Sequence, residues 1–537
     1  MKIQPQRLQH WFLILFAVLC PLFIASRGIS QPSKPRLVLM CLSAHPDDED
    51  GSALAYYAKL RGVKTYSIFF TRGEGGQNET GSELYEDLGA LRTKETLEAA
   101  KILGSEVHFL GFDDFGFSKT AKETFSRWGG KDSVIARLVY IIRSLKPDVI
   151  ITNHDTVTTM PNRQHGNHQA VGISAFEAFT KAADPRYHPE QLNDSVTVWQ
   201  VKKLYFRSFR GDSTLAKNSF VNIDATERDS SGTSIEELAV HALNQHRSQG
   251  LSRLTLSSIS PFFRRHHYIL MRSDQQYPFQ HNDLFSGLLP VARRTAAVRD
   301  FPTPPTPSDE QLRTLSKEQL AALRFSKKAV IGLIKTYDNT LEQTLRQFNI
   351  KYQLIDSTAL ANDNLAKYST ILLDLRTYFY RQDAVKYSDK LLQYVNGGGN
   401  IVCFYHKTSD WKPAYAPYPI TITSERVTEE DAPVTILQPS HPLFNQPNRI
   451  TSADWGSWVQ ERSIYLPSDD TTKTSSRYMR LLAMSDTDER QPSTSLLWTQ
   501  YGKGTYTYVS LALYRQLRIE QEGALKLLFN LISQPKH

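Results

Sequence analysis

Apolar and polar positions divide the first half of the chain into buried runs that alternate with amphipathic stretches. Short, continuously apolar runs are typical of parallel strands that are covered on both faces. Four such runs occur in order: Leu37–Leu42, Thr65–Phe70, Val107–Leu110 and Val149–Thr152. Amphipathic stretches between them predict three helices: Ser52–Arg61, Leu88–Leu103 and Ser133–Leu145. This alternation predicts a doubly wound, Rossmann-like α/β domain, in which ligands bind at the carboxyl ends of the strands.

The pattern continues beyond these elements and then loosens. Ser234–Arg247 has helical spacing, and Tyr268–Met271 predicts a strand at the edge of the sheet. A Pro-rich stretch, Phe301–Pro307, predicts an extended linker. We therefore expect a first domain over residues 31–275 and a linker region over residues 276–326.

A second α/β pattern follows the linker. Its apolar runs predict four strands: Lys328–Ile334, Tyr368–Leu373, Asn400–Tyr405 and Gly504–Ala512. Helices are predicted at Leu341–Phe348 and Val385–Val395, and the second of these is stopped by three consecutive glycines. The order resembles that of a flavodoxin-like or glutamine-amidotransferase-like domain, which we expect over residues 327–537.

The N-terminal segment has the pattern of an export signal. Lys2 and Arg7 precede an apolar run from Trp11 to Ala25, and a polar stretch follows. A run of about 15 residues is short for a helix that spans a bilayer. We expect a signal peptide over residues 1–30, a secreted or periplasmic protein and no integral membrane span after cleavage. An uncleaved membrane anchor is the alternative.

Composition excludes some classes of protein. The 537 residues are 40% hydrophobic and 22% charged, as is ordinary for a globular chain of more than one domain. The basic residues behind the net charge of +8 are scattered, and the sequence has neither a basic stripe nor a known nucleic-acid-binding motif. We therefore expect no nucleic-acid partner. Beyond Cys20 there are only Cys41 and Cys403, which form no disulfide framework.

The most chemically distinctive segment comes directly after the first predicted strand. His45, Asp47, Asp48 and Glu49 place one imidazole and three carboxylates within five residues. Unpaired charge is costly to bury, so such a cluster either faces water or holds a cation. A second part of a metal site follows the fourth strand, in the segment from His165 to His168. Both segments should meet at one edge of the sheet.

Residue types and spacing indicate a hydrolytic zinc site. Catalytic zinc takes three protein ligands and leaves one position for water. His45 and Asp48 lie three residues apart at a turn, and His168 can supply the third ligand from the loop after the fourth strand. Asp47 is then placed as general base toward metal-activated water, and His165 can stabilise the oxyanion or protonate the leaving amine. Glu49, together with Asp50 and Asp155, is a candidate for supporting or helix-capping roles.

Five motifs in order resemble the LmbE-like, or PIG-L, N-acetylglucosaminyl deacetylases. They are Ala44–Glu49, Thr71–Asn78, Leu88–Arg92, His165–His168 and His246–Gln249. The resemblance covers about Pro35 to Ser273 and implies one divalent zinc ion and hydrolysis of the N-acyl group of an amino sugar or glycoconjugate.

Carried over by position, the resemblance assigns roles to single residues. His45, Asp48 and His168 correspond to the zinc ligands, Asp47 to the general base and His165 to the residue that assists at the tetrahedral intermediate.

Arg72 corresponds to a substrate-contacting arginine, and its guanidinium suits sugar hydroxyls or a phosphate. A salt bridge to Glu74 or another nearby carboxylate is the alternative for Arg72. The chain departs from many family members at Gly166-Asn167, where they have Pro-Asp. An aspartate there would tune the neighbouring histidine, which Asn167 cannot do by charge.

The second domain is expected to be non-catalytic. Cys403 and His406 are its candidates for a catalytic pair, but a nucleophile elbow needs glycines on both sides of the nucleophile. Cys403 lies instead within an apolar strand-like run. The domain therefore resembles amidotransferase-like modules that have lost their active site, and we expect it to serve binding, docking or oligomer contact.

Two other functions compete with the deacetylase. Two histidines and one carboxylate also form the iron site of non-haem oxygenases, although those ligands usually sit on a β-barrel. A non-catalytic glycan-binding protein with a structural metal is the alternative from another class. Pure binding gives no reason for a base at Asp47.

Overall fold

The computed structural model describes residues 35–76, 78–81, 83–154, 164–208, 220–260, 264, 266–299, 301–303 and 315–535. The expected signal peptide, Asp155 and most of the Pro-rich stretch lie outside these residues. Among the helices described, none combines the length and the hydropathy needed to span a membrane. The described residues form two large mixed α/β sheets, one on each side of the linker region.

Seven strands build the first sheet. They are β1 (Val38–Ser43), β2 (Lys64–Phe69), β3 (Ser105–Phe109), β4 (Val149–Thr152), β5 (Lys203–Ser208), β6 (Phe220–Asn222) and β7 (His267–Ser273). Their order is β3-β2-β1-β4-β5-β7-β6, and the first five are parallel. The prediction of an α/β domain with parallel strands is therefore confirmed.

Six α-helices of the first domain flank this sheet. They are α1 (Gly51–Ala55), α2 (Tyr85–Leu103), α3 (Ala121–Arg127), α4 (Lys131–Leu145), α5 (Gly166–Lys181) and α6 (Ile235–Leu243). Helix α1 continues as a π-helical turn through Leu60. Successive residues of β1 enter the cores on the two faces, with Met40 in one and Cys41 in the other. Cover on both faces explains why β1 is apolar without alternation.

Two sequence predictions differ from the structure. Strand β7 is not at the edge, because it pairs with β5 on one side and with β6 on the other. Strand β6 has only three residues and gave no recognisable pattern. His168 lies in the first turn of α5, whereas we expected it in a loop. The helix fixes the position of His168 more firmly than a loop would.

Eight strands build the second sheet. They are β8 (Ile331–Ile334), β9 (Tyr352–Leu354), β10 (Thr370–Leu373), β11 (Asn400–Phe404), β13 (Val434–Ile436), β15 (Met479–Met484), β16 (Leu496–Tyr501) and β17 (Gly504–Val509). Their order is β13-β15-β16-β17-β11-β10-β8-β9. The part from β9 to β17 is parallel, and the remaining strands run antiparallel. Strands β12 (Arg426–Val427) and β14 (Ser463–Ile464) form a separate small sheet.

Short helices cover this second sheet. They are α7 (Lys317–Ala322), α8 (Thr340–Gln347), α9 (Ser357–Asn362), α10 (Thr377–Tyr380), α11 (Gln382–Lys386), α12 (Ser388–Asn396), α13 (Leu513–Arg518) and α14 (Glu522–Ile532). The prediction of a second α/β domain is confirmed. The antiparallel strands β13, β15 and β16 were not predicted, because their sequences are mixed in polarity.

The carboxyl edges of the two sheets face each other. Glu79, in the loop before α2, accepts hydrogen bonds from Arg376 Nη1 at 2.7 Å, Lys407 Nζ at 3.1 Å and Tyr380 Oη at 2.5 Å. Arg376 follows β10 and Lys407 follows β11, so both belong to the edge where parallel sheets bind ligands. The second domain therefore lies over the edge that carries the predicted site of the first.

Candidate active site

A tight turn after β1 presents the acidic cluster. The His45 backbone N–H donates to Asp48 Oδ2 at 2.9 Å, and the Asp48 N–H donates to the His45 carbonyl at 3.2 Å. Asp47 sits between them with a φ of 89°, a conformation that is uncommon for residues other than glycine. Its N–H donates to Glu49 Oε2 at 3.0 Å. This turn brings His45 and Asp48 to one point, whereas an extended strand would place residues three apart on opposite faces.

Asp48 lies close to both of the other predicted ligands, and the side chains that could hold one ion form two overlapping groups: His45, His165 and His168, and Asp48, His154 and His168. Asp48 Oδ2 lies 3.1 Å from His45 Nδ1 and 3.2 Å from His168 Nε2. Ligand atoms around a tetrahedral zinc ion with bonds of about 2.0–2.1 Å lie about 3.3–3.4 Å apart, so these spacings suit that ion. The donor set of two imidazoles and one carboxylate fits zinc chemically.

His154 is a fourth histidine at this point, and the sequence analysis missed it. It is buried, its Nε2 lies 3.7 Å from Asp48 Oδ2, and its ring stacks on His168 with centroids 4.2 Å apart. The same Nε2 accepts the Ala44 N–H at 3.0 Å, so its lone pair is already engaged. His154 therefore braces Asp48 and His168. Its position directly after β4 was the available signal.

His165 lies on the opposite side of His168. It precedes α5 as the N-terminal cap residue, and its ring centroid is 3.8 Å from that of His168 and 5.2 Å from that of His45. Its Nδ1 is buried and has no hydrogen-bond partner among the residues that the structure describes. A buried polar atom without a partner is costly, so this nitrogen is available to a ligand.

Burial and neighbouring charges set the protonation of this cluster. Burial and the adjacent Asp48 carboxylate raise the pKa of Asp47 to about 7. Burial also works against ionisation of Asp48, but His168 and His154 hold its pKa well below the usual range. Burial and the nearby His168 lower the pKa of His165 well below its usual value, so this ring is neutral. The pKa values of the adjacent Asp47 and Asp48 carboxyls are thus shifted in opposite directions. Such a difference is typical of sites in which one carboxylate binds a metal and the other acts as a base.

Asn167 contacts His45 and not His165. Its Nδ2 lies 3.1 Å from His45 Nε2, and its Oδ1 accepts hydrogen bonds from Ser118 and Thr124, both at 2.9 Å. The Asn167 amide therefore holds the ring of His45 in place from the side away from Asp48. The replacement of Pro-Asp by Gly166-Asn167 therefore changes the surroundings of His45.

Arg72 does not line the cavity beside the cluster. Its guanidinium makes a bidentate pair with Glu86, at 2.9 and 2.6 Å. The arginine whose charge acts on Asp47 is Arg92 of α2. Arg92 is buried and lines that cavity, and its Nε donates to Ser248 Oγ at 3.2 Å. Substrate binding by Arg72 would require its pair with Glu86 to open, and this role stays a prediction.

The remaining motif residues support the turn from behind. His246 is buried, with Nε2 3.0 Å from Glu49 Oε1, and Gln249 Nε2 donates to the Pro46 carbonyl at 2.8 Å. Asp50 caps α1 by accepting the Ala53 N–H at 3.1 Å. These contacts hold the turn from Pro46 to Asp50 in place without occupying the ligand positions.

Both domains line the cavity over the cluster, which measures about 370 Å³. The first domain contributes the predicted ligands, Asp47, His165 and Arg92. The second domain contributes Lys407, Arg426, Glu461, Tyr465, Tyr514 and Arg515. A volume at the low end of the range for ligand sites, about 300–1,000 Å³, suits a small molecule.

The fold and the cluster define an α/β domain with a candidate metal centre at the carboxyl edge of its sheet. Residues 40–179 match the model of the PIG-L family, described as GlcNAc-PI de-N-acetylase. A 1D-myo-inositol 2-acetamido-2-deoxy-α-D-glucopyranoside deacetylase of Saccharopolyspora erythraea is 31% identical over 284 residues, which are 46% of this chain and 100% of that protein. The chain belongs to the PIG-L family of deacetylases.

Two further relatives differ in how much they share. Mycothiol S-conjugate amidase of Streptomyces coelicolor is 32% identical over 32% of this chain and 60% of its own length. The solved structure of N,N'-diacetylchitobiose deacetylase from Pyrococcus horikoshii is 19% identical, with a TM-score of 0.32 over 44% of this chain and 83% of that one.

Proposed function

We propose that the protein is a zinc-dependent N-deacetylase that removes the acetyl group from an N-acetylglucosamine-type amino sugar or glycoconjugate. The names of two relatives support the reaction class, since a deacetylase and an amidase both hydrolyse an amide bond. The observation that carries the proposal is the position of Asp48 Oδ2 between His45 Nδ1 and His168 Nε2, with Asp47 beside it.

In this proposal His45, Asp48 and His168 hold the ion. When bound, zinc activates water and polarises the amide carbonyl. Asp47 takes a proton from the attacking water and returns it to the nitrogen as the C–N bond breaks, so that one water and one amide give acetate and a free amine. Neutral His165 donates a hydrogen bond to the oxygen that becomes negative.

Two variants test the assignment. Asp47→Asn keeps the size of the side chain and removes its basicity, so we expect acetate release to fall about 10²–10⁴-fold while the zinc content stays near one per chain. Full turnover by Asp47→Asn would disprove the general-base role. Absence of acetate release by the zinc-loaded wild type from a broad panel of N-acetylated sugars would favour a glycan-binding protein with a structural metal.

For the second domain we propose a flavodoxin-like, non-catalytic module. Its parallel strands lie in the order β9-β8-β10-β11-β17, which supports this arrangement. The side chains of Cys403 and His406 are engaged locally, since His406 Nδ1 donates to the Phe404 carbonyl at 2.9 Å and its Nε2 accepts the Tyr378 N–H at 3.1 Å. Burial lowers the pKa of His406 to about 3 and raises that of Cys403 to about 12.

We also propose that the protein is exported. The apolar run from Trp11 to Ala25 behind basic residues supports this. Mass spectrometry of the N-terminal peptide from extracellular and cell fractions tests it. An intact N-terminus confined to the soluble cell fraction would count against export.

A further inference from the structure

The second domain places two arginines in the cavity over the metal-binding cluster. Arg426 of β12 and Arg515 of α13 both line it, and both approach Glu461. Arg426 Nη1 donates to Glu461 Oε1, and Arg515 Nη2 lies 3.5 Å from Glu461 Oε2. One carboxylate thus faces two guanidinium groups, and one positive charge at this point is left without a counterion from Glu461.

Arg515 has a buried N–H donor that can bind a ligand. Its side chain is only 5% exposed and its Nε donates to Tyr514 Oη at 2.8 Å, but its Nη1 is buried and has no hydrogen-bond partner in the described part of the chain. Protein structures seldom leave a buried donor of a charged group unpaired. A negatively charged ligand would satisfy it.

A glycine with a left-handed backbone lies beside the guanidinium of Arg515. Gly116 has a φ of +93°, and a Cβ at this position would lie 3.7 Å from Arg515 Nη1. The Gly116 carbonyl is 3.4 Å from Asn167 Nδ2, and the same Nδ2 reaches His45 Nε2 at 3.1 Å. Gly116 and Asn167 therefore lie between Arg515 and His45, a candidate metal ligand.

Arg426 is fixed between the two domains by aromatic rings. Its guanidinium carbon lies 4.5 Å from the ring centroid of Phe117 and 4.8 Å from that of Tyr465. Phe117 in turn packs against His165, with centroids 5.2 Å apart. Stacking on both faces leaves the edge of the guanidinium, where its N–H donors lie, as the part that can bind an anion.

We propose that the second domain forms part of the substrate site, in which Arg426 and Arg515 bind a phosphate or carboxylate group attached to the amino sugar. The proposal rests on the proposed deacetylase function and narrows its substrates to anionic amino-sugar derivatives. Paired guanidinium groups recognise both kinds of anion through charge-assisted hydrogen bonds. The same cavity of about 370 Å³ is lined by these arginines and by the metal-binding cluster.

The first experiment compares substrates with one enzyme. Acetate release is measured for N-acetylglucosamine, N-acetylglucosamine 1-phosphate and N-acetylmuramic acid, so that the neutral, phosphate and carboxylate forms are separated. We expect kcat/KM for at least one anionic form to exceed that for the neutral sugar by about tenfold or more, as one charged hydrogen bond provides. An enzyme that prefers the neutral sugar or treats all three alike overturns the proposal.

The second experiment compares variants. Arg515→Gln and Arg426→Gln should lower kcat/KM for the preferred anionic form about 10–100-fold and leave the neutral sugar within about threefold. Arg346→Gln is the matched control, because Arg346 belongs to the same domain and forms its ion pair with Glu342 outside the cavity. Equal losses on charged and neutral sugars would show a structural role only and contradict the proposal. Since the side chain of Arg515 is only 5% exposed, Arg426, with 19% exposed, provides the variant closer to the surface.

Product binding separates this proposal from the deacetylase function. Calorimetric titration with glucosamine 1-phosphate and with glucosamine needs no turnover. Tighter binding of the phosphate form that is lost in both arginine variants supports the anion site, even if no sugar releases acetate and the deacetylase function fails. Equal binding of both amines by the wild type, with acetate release intact, would retain the function and refute the anion site.

Discussion

The carboxyl edges of the two sheets carry similar residue types but use them differently. At the first edge, His165 keeps a buried nitrogen without a partner among the described residues, and Asp48 gathers three imidazoles around one oxygen. At the second edge, both ring nitrogens of His406 are engaged by the backbone, and Cys403 lies in an apolar core. The buried histidine of the first edge thus keeps a nitrogen that a ligand can use, whereas the buried histidine of the second edge has none left.

Removing a predicted metal ligand from the first edge should have the largest effect. We expect His168→Ala to abolish stoichiometric zinc binding and to reduce acetate release by more than about 10³-fold, because a three-ligand site rarely survives the loss of one. Metal analysis and acetate release measure the two effects. His406→Ala at the second edge is the control, with zinc content unchanged. A His168→Ala protein that binds zinc normally would remove His168 from the ligand set.

A variant of His154 tests whether its contacts with His168 and Asp48 support metal binding. We expect His154→Ala to lower zinc affinity or activity about 10–100-fold, as is common for groups behind metal ligands. The reason is that the ring supports His168 and engages the Ala44 N–H, which begins the turn after β1. Competition with a chelator gives the zinc affinity. An unchanged affinity and unchanged kcat would show that His154 only fills space.

Sequence reasoning found the ligands because the sheet brings strand ends together. His45 and Asp48 follow β1 and His168 follows β4, and the structure pairs these strands directly. His154 and Asn167 escaped because their roles depend on contacts with Ala44 and His45 that no spacing rule encodes. The sequence also did not predict that Arg426 and Arg515 line the cavity. Their placement depends on how one domain lies on the other, and neither residue belongs to a motif.

The pattern also predicted strands better than helix starts. Strand β4 has the predicted bounds, since an apolar run with Pro147 before it has few alternatives. Helix α2 begins at Tyr85, three residues before the predicted start, because its first turn is polar and carries Glu86 and Asp87. Helix α5 was missed because small and polar residues such as Gly166 occupy its first turn.

Glu79 tests the contact between the two edges. We expect Glu79→Gln to weaken the hold of the second domain by about 1–3 kcal/mol, because Arg376 and Lys407 lose a partly buried counterion. Limited proteolysis and thermal unfolding should both show the effect. Glu522→Gln is the control, since this residue pairs with Lys526 within α14. If the two variants are equally resistant to protease, the Glu79 contacts do not hold the domains together.

The smallest effect concerns two buried acids at the second edge, Asp338 and Asp374. Burial and the nearby Asp338 raise the pKa of Asp374 to about 7. An acid with a raised folded-state pKa binds a proton more tightly in the folded protein, so its stabilising contribution is present below about pH 4 and is lost as the pH rises through about 7. The wild type should therefore become less stable between about pH 5 and pH 8.

Asp338→Asn should flatten this dependence. The asparagine oxygen can still accept the Thr340 N–H, which Asp338 Oδ1 accepts at 2.7 Å, but the like charge beside Asp374 is gone. The pKa of Asp374 then falls, and we expect the variant to retain about 1–2 kcal/mol more of its stability than the wild type on going from pH 5 to pH 8. Urea unfolding at several pH values measures the difference between the two slopes. Parallel curves for variant and wild type would mean that the carboxyls of Asp338 and Asp374 do not interact and that burial alone raises the pKa of Asp374.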